Sequence, residues 1–128
     1  MKQILLVGIG GFIGSIGRYK LSGLVLHHTT EWRFPLGTFL VNVAGCFIIG
    51  LLAGLSERHT LSSELRVFLF PGILGGFTTF SAFGFETFFL IRRGEPFIAL
   101  LYVAASVICG LMMVWLGFKL LEGGSSVR

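Results

Sequence analysis

Charge is what this chain has least of. Charged residues are 12% of its 128 positions, against about 25% in an ordinary soluble domain. Hydrophobic residues are 54%. A chain this short has too much surface to hide so much apolar material from water, which excludes a soluble domain. The class is an integral membrane protein, and the length fits one domain. Cysteine is also scarce. Cys46 and Cys109 both sit inside apolar runs, where they read as small packing residues with no disulfide framework to infer. The three histidines (His27, His28 and His59) fall outside the apolar cores, and no metal-ligand spacing joins them to cysteines or carboxylates. No nucleophile sits beside a base, and no phosphate-cradling loop is present. Gly8-Ile9-Gly10-Gly11-Phe12-Ile13-Gly14 has the spacing G-x-G-x-x-x-G and lacks the strand-then-helix context of a dinucleotide site. The sequence argues against an enzyme.

The net charge of +4 is not a nucleic-acid signature. Its ten basic residues are scattered, mostly near the ends of apolar runs, where Lys and Arg reach the lipid headgroups. A nucleic-acid binder would cluster them on one face.

The apolar material falls into four segments: 4–26, 35–55, 67–91 and 96–121. Each is long enough to cross a hydrocarbon core of roughly 30 Å, which needs about 20 helical residues. The first follows Lys2 but lacks a small-x-small cleavage site, so it is expected to be a membrane helix and not a removed leader. Pro35 and Pro96 suit a first helical turn, and Ser62 or Ser63 suits a helix cap. Residues 1–122 are expected to form one four-helix transmembrane unit. The run Gly123-Gly124-Ser125-Ser126 marks residues 123–128 as a flexible tail.

Four spans place Lys2, Arg58, Arg66, Lys119 and Arg128 on one side of the membrane. They place Arg18, Lys20, Arg33, Arg92 and Arg93 on the other. Orientation is set by an imbalance in such counts, and here there is none. Balanced charge suggests insertion in both orientations. Two opposed copies would then form a dimer with its two-fold axis in the membrane plane, the unfused form of an inverted repeat.

Glycines recur at helix-packing spacing: Gly10 with Gly14 in the first span, and Cys46, Gly50 and Gly54 in the second. Polar residues within the spans are few, and each is informative. Asn42 is either glue between helices or an amide donor to an anion. Glu86, the one carboxylate well inside a span, is a proton-coupling group, an ion ligand or a partner for Arg18 or Lys20. Tyr102 and Ser106 lie one turn apart on one face of the fourth segment. Trp32 and Trp115 suit interfacial anchors.

Eight of the fourteen phenylalanines lie between Phe68 and Phe89. The same third segment holds Gly75-Gly76, Thr78-Thr79 and Ser81. Glycine weakens a helix, and Thr and Ser side chains compete with its backbone bonds. A break at membrane depth is tolerated only where protein or a water-filled cavity covers it. A discontinuous helix beside an ion pathway is therefore expected. Phe77, Phe80 and Phe83 recur every three residues; they either pack in bulk or turn electropositive ring edges toward an anion.

Gly75-Gly76-Phe77-Thr78-Thr79-Phe80-Ser81-Ala82-Phe83 with Glu86-Thr87 resembles the signature of the Fluc (CrcB) family of fluoride channels. Gly37-Thr38 with Val41-Asn42 and Gly45 is similar to that family's second-helix pattern. Gly10-Gly11, Gly14 and Arg18 in the first span, and Tyr102 with Ser106 in the fourth, also fit. The resemblance implies an all-α membrane protein of four transmembrane helices, the third broken, assembled as an antiparallel homodimer. It implies passive fluoride export from the cytoplasm across a prokaryotic inner membrane, through two pores per dimer. Backbone carbonyls of Gly75 and Thr78 would hold a structural sodium ion. Phe80 and Phe83 would line the pores, and Asn42 would donate to fluoride. Thr38, Ser81, Glu86, Tyr102 and Ser106 would add polar lining, with Arg18 near the vestibule. Gly84 replaces a hydroxyl often found after Phe83 in the family. The competing expectation is a small dual-topology proton-coupled exporter, in which Glu86 would carry the proton.

Overall fold

The computed structural model describes residues 1–122; the expected tail lies outside them. Four stretches are long and apolar enough to cross a membrane: Lys2–His28, Leu36–Glu57, Ser63–Arg92 and Pro96–Leu121. The chain is all-helical within the described residues. Helices α1 (Lys2–His28) and α2 (Leu36–Glu57) are uninterrupted. The third span contains α3 (Ser63–Val67), a π-helical stretch (Phe68–Leu74), α4 (Gly75–Phe77) and α5 (Phe80–Arg92). The fourth is α6 (Pro96–Leu121), with Pro96 in its first turn.

Local chemistry sets these ends. Ser62 caps α3, its hydroxyl accepting the Leu65 N–H at 3.2 Å, so the third span starts four residues before its apolar run. Pro35 sits just before α2, and its carbonyl accepts the Phe39 N–H at 3.1 Å. Pro71 lies inside the π-helical stretch. It has no N–H to give the carbonyl four residues back, and the chain answers with wider turns: the Gly75 N–H reaches the Phe70 carbonyl.

The helices pair as α2 with α6, and α1 with the π-helical stretch and α4. Lipid tails are as apolar as leucine, so membrane helices associate through close packing and hydrogen bonds. Small residues permit it. A Cβ on Gly10 would sit 2.6 Å from the Phe68 carbonyl oxygen, and one on Gly54 would sit 2.7 Å from that of Phe118. The fully enclosed core is small: Val41, Leu74, Leu90, Ala99 and Tyr102. Large apolar side chains remain exposed on every span, among them Ile9, Phe12, Leu24, Phe88, Leu111 and Trp115, as suits a surface facing lipid.

Candidate functional site

The site is built around two residues that leave the helix. Gly75 and Gly76 stay helical; Thr78 (φ −87°, ψ 157°) and Thr79 (φ −151°, ψ 118°) are extended. Neutral side chains take over the backbone bonding there. Asn42 Nδ2 donates to the Thr79 carbonyl at 3.1 Å, and the Thr79 N–H donates to Asn42 Oδ1 at 3.0 Å. The Thr79 hydroxyl accepts the Ala82 N–H at 3.3 Å and so caps α5. In a continuous α-helix each N–H would reach the carbonyl four residues back. The Thr79 N–H would then belong to Gly75, and the Ala82 N–H to Thr78. Both donors have been diverted, which leaves those two carbonyls without their helical partners.

Two cavities flank this point, and Thr79 borders both. The outer one, about 560 Å³, runs in from the ends of α1 and α5 and is walled by Arg18, Arg33, Arg93, Thr38 and Glu86 among others. The inner one, about 440 Å³, is lined by Asn42, Gly75, Thr78, Phe80, Phe83 and Ser106 together with apolar side chains. Among the described residues, no side chain carrying a full charge lines the inner cavity.

Glu86 and its partners join the two. Thr38 Oγ1 donates to Glu86 Oε1 at 2.5 Å, and the Tyr102 hydroxyl donates to Oε2 at 3.1 Å. Tyr102 is fully buried and stacks on Phe83, with ring centroids 5.1 Å apart. Phe83 in turn meets Phe80 at 5.6 Å. Arg18 is not the partner of Glu86: its Nε donates to the Gly76 carbonyl at 3.0 Å. That bond holds the guanidinium at the cavity wall and ties α1 to the third span.

The sequence-derived set therefore converges. Arg18, Thr38 and Glu86 face the outer cavity, while Asn42, Phe80, Phe83 and Ser106 face the inner one. Tyr102 lines neither and meets the two sets through its contacts with Glu86 and Phe83. Ser81 is exposed, with its hydroxyl 3.2 Å from that of Thr79. The Ser106 hydroxyl is buried without a partner among the described residues. Thr79 is not among the sequence-derived site residues; its one local signal is a threonine of N-cap type ahead of the apolar run of α5.

The matching region of the chain covers this entire constellation. Residues 5–118 fit the family model described as CrcB-like protein, Camphor Resistance (CrcB). The chain belongs to the CrcB family. A fluoride-specific ion channel FluC from Methylobacillus flagellatus is 53% identical over 123 residues, which is 95% of this chain and 96% of that protein. One from a strain of Thermus thermophilus is 46% identical over 127 residues, 99% of each chain. One from Geotalea daltonii is 48% identical over 118 residues, 91% of this chain and 94% of that protein. The CrcB match thus spans all four membrane helices and every residue of both cavities.

Proposed function

We propose that this CrcB protein is a passive fluoride channel that releases fluoride from the cytoplasm of a prokaryotic cell across its inner membrane. The observation that carries the reading is the pair of cavities meeting at Thr79. The outer one gathers anions with arginine. The inner one offers ring edges, the free hydrogen of the Asn42 amide and the Ser106 hydroxyl, which has no partner among the described residues. Conduction needs binding strong enough for entry and weak enough for exit, and an inner cavity without a full positive charge suits that. The relatives' names supply the identity of the anion.

The assembly in this reading is an antiparallel homodimer with two pores. Phe80 is 83% exposed, and Gly75, which also lines the inner cavity, is exposed as well. A second, inverted copy would cover both. The interruptions of the two third spans would then meet at the centre. The Gly75 and Thr78 carbonyls of each copy would together supply four hard oxygen ligands for a structural sodium ion. The diverted Thr79 and Ala82 donors fit that role, because a cation needs carbonyls with lone pairs to spare.

Fluoride enters cells as its neutral weak acid, dissociates in the less acidic cytoplasm and is trapped as an anion. A membrane potential negative inside drives an anion outward by about 2.3 kcal/mol per 100 mV, so no coupling is needed. The deciding experiment is fluoride and chloride efflux from liposomes holding the purified protein, with no proton gradient. Fast fluoride efflux with little chloride efflux supports the channel. Transport strictly tied to a proton gradient and abolished by Glu86→Gln would establish the exporter instead.

A further inference from the structure

Asn42 does more in this structure than an anion donor needs to do. Its amide exchanges two hydrogen bonds with the main chain of Thr79, at 3.0 and 3.1 Å. Only one of its four bonding sites, the second Nδ2 hydrogen, would be called on by an anion, and the carbonyl oxygen would not be called on at all. That oxygen holds the N–H which an α-helix would give to Gly75. The Thr79 hydroxyl does the equivalent one turn on, holding the Ala82 N–H at 3.3 Å in place of the Thr78 carbonyl. The two carbonyls so relieved are the two assigned to sodium above.

We infer that Asn42 and the Thr79 side chain are positioning residues for the bound cation. By capturing two backbone donors, they keep the Gly75 and Thr78 carbonyls out of the helical ladder. The inference rests on the sodium reading of the interruption. Its physical basis is an accounting of backbone groups. Bare carbonyls and N–H groups at membrane depth are costly, so an interrupted segment tends to close back into helix unless its donors are satisfied elsewhere. Asn42 satisfies one from α2, and the Thr79 hydroxyl satisfies the other locally. The carbonyls are then left for a hard cation, which takes oxygen ligands without needing a carboxylate. Asn42 thereby ties the cation site to the lining of the inner cavity through a single side chain.

The test is the sodium dependence of thermal unfolding of the purified protein, with N-methylglucamine as the replacement cation. A ligand that binds only the folded state raises the midpoint with its concentration. The wild-type midpoint is expected to rise with sodium. Asn42→Ala lets Gly75 regain the Thr79 N–H, and at least a ten-fold weakening of the sodium response is expected. Thr79→Ala should weaken the response and Thr79→Ser should retain it; this pair decides the matter if Asn42→Ala yields no folded protein. A full response in either alanine variant removes that residue from the assignment. A wild-type protein indifferent to sodium would sink the cation reading itself, and this inference with it.

Discussion

Phe83 lies nearly flat on Tyr102, their ring planes 24° apart and their centroids separated by 5.1 Å. The Tyr102 hydroxyl bonds Glu86, so one buried ring braces an inner-cavity residue on its face and an outer-cavity residue at its tip. The two functions separate by mutation. Tyr102→Phe keeps the stack and removes one donor to Glu86. It should lower fluoride flux and cost about 1.5–3 kcal/mol, the range for a lost bond to a charged group. Tyr102→Ala removes the stack as well and should cost about 3–5 kcal/mol. Thermal unfolding and liposome efflux, measured on the same preparations, check both values.

Glu86→Gln probes the same network from its centre. Thr38 and Tyr102 both donate to the carboxylate. A carboxamide offers one oxygen and one NH₂, so one hydroxyl must turn round or go unpaired. Flux should fall, yet it should remain passive and insensitive to a proton gradient. Efflux measured at equal and unequal pH across the membrane reads this directly.

Phe80 is exposed while Phe83 is half-buried, which makes it the cleaner probe of the ring-edge proposal. Phe80→Ile removes the electropositive edge at little packing cost to the monomer. Fluoride flux should drop at least ten-fold with the oligomeric state on size exclusion unchanged. Unaltered flux would leave the Phe80 ring without a role in conduction.

How much of this was legible in the sequence depends on the scale of the interaction. Hydropathy and length marked four spans, and Ser62, Pro96 and the Gly10–Gly14 and Gly50–Gly54 spacings were local signals that hold in three dimensions. The pairing of α2 with α6 was not legible, because both helices are apolar all round and offer no stripe to read. Local propensity marks Gly75-Gly76 and Thr78-Thr79 alike as weak places. In the structure the two glycines remain helical and it is Thr78 and Thr79 that turn out. The reason is tertiary: a Cβ on Gly76 would run into the Gly11 backbone of α1, so Gly76 serves close approach, whereas Thr79 is drawn away by Asn42 on another helix. A bond spanning 37 residues leaves no periodic trace.

The glycines can be sorted by the same geometry. Gly10 and Gly54 face backbone atoms that cannot swing aside, so Gly10→Ala and Gly54→Ala should each destabilise the protein by about 1–3 kcal/mol. Gly8 also lies in α1, but nothing among the described residues lies within 4 Å of a Cβ placed there. Gly8→Ala should be neutral or stabilise by up to about 1 kcal/mol, the helix-propensity gain. Thermal unfolding of the three variants side by side tests the packing account against a general intolerance of change in glycine-rich helices.

The mouth of the outer cavity carries a charge pair whose two members should act with opposite sign. Arg33 is part of the cavity wall, and its guanidinium lies 3.3 Å from a Glu95 carboxylate oxygen. Glu95 sits at the N-cap of α6 without capping it, so its carboxylate is spent on Arg33 and offsets part of the field that draws anions inward. At about 10 Å in water one unit charge changes the local anion concentration by roughly two-fold, and cavity walls of low dielectric only strengthen this. With fluoride well below saturation, Glu95→Gln should therefore raise flux about two-fold and Arg33→Gln should lower it by a similar factor. Glu95→Asp, which keeps the charge, should match wild type. Both effects should fade as ionic strength rises and the screening length shrinks from about 30 Å at 0.01 M to about 3 Å at 1 M. If the pair served only to tie the α1–α2 loop to the start of α6, the two glutamine variants would change flux in the same direction, and salt would not separate them.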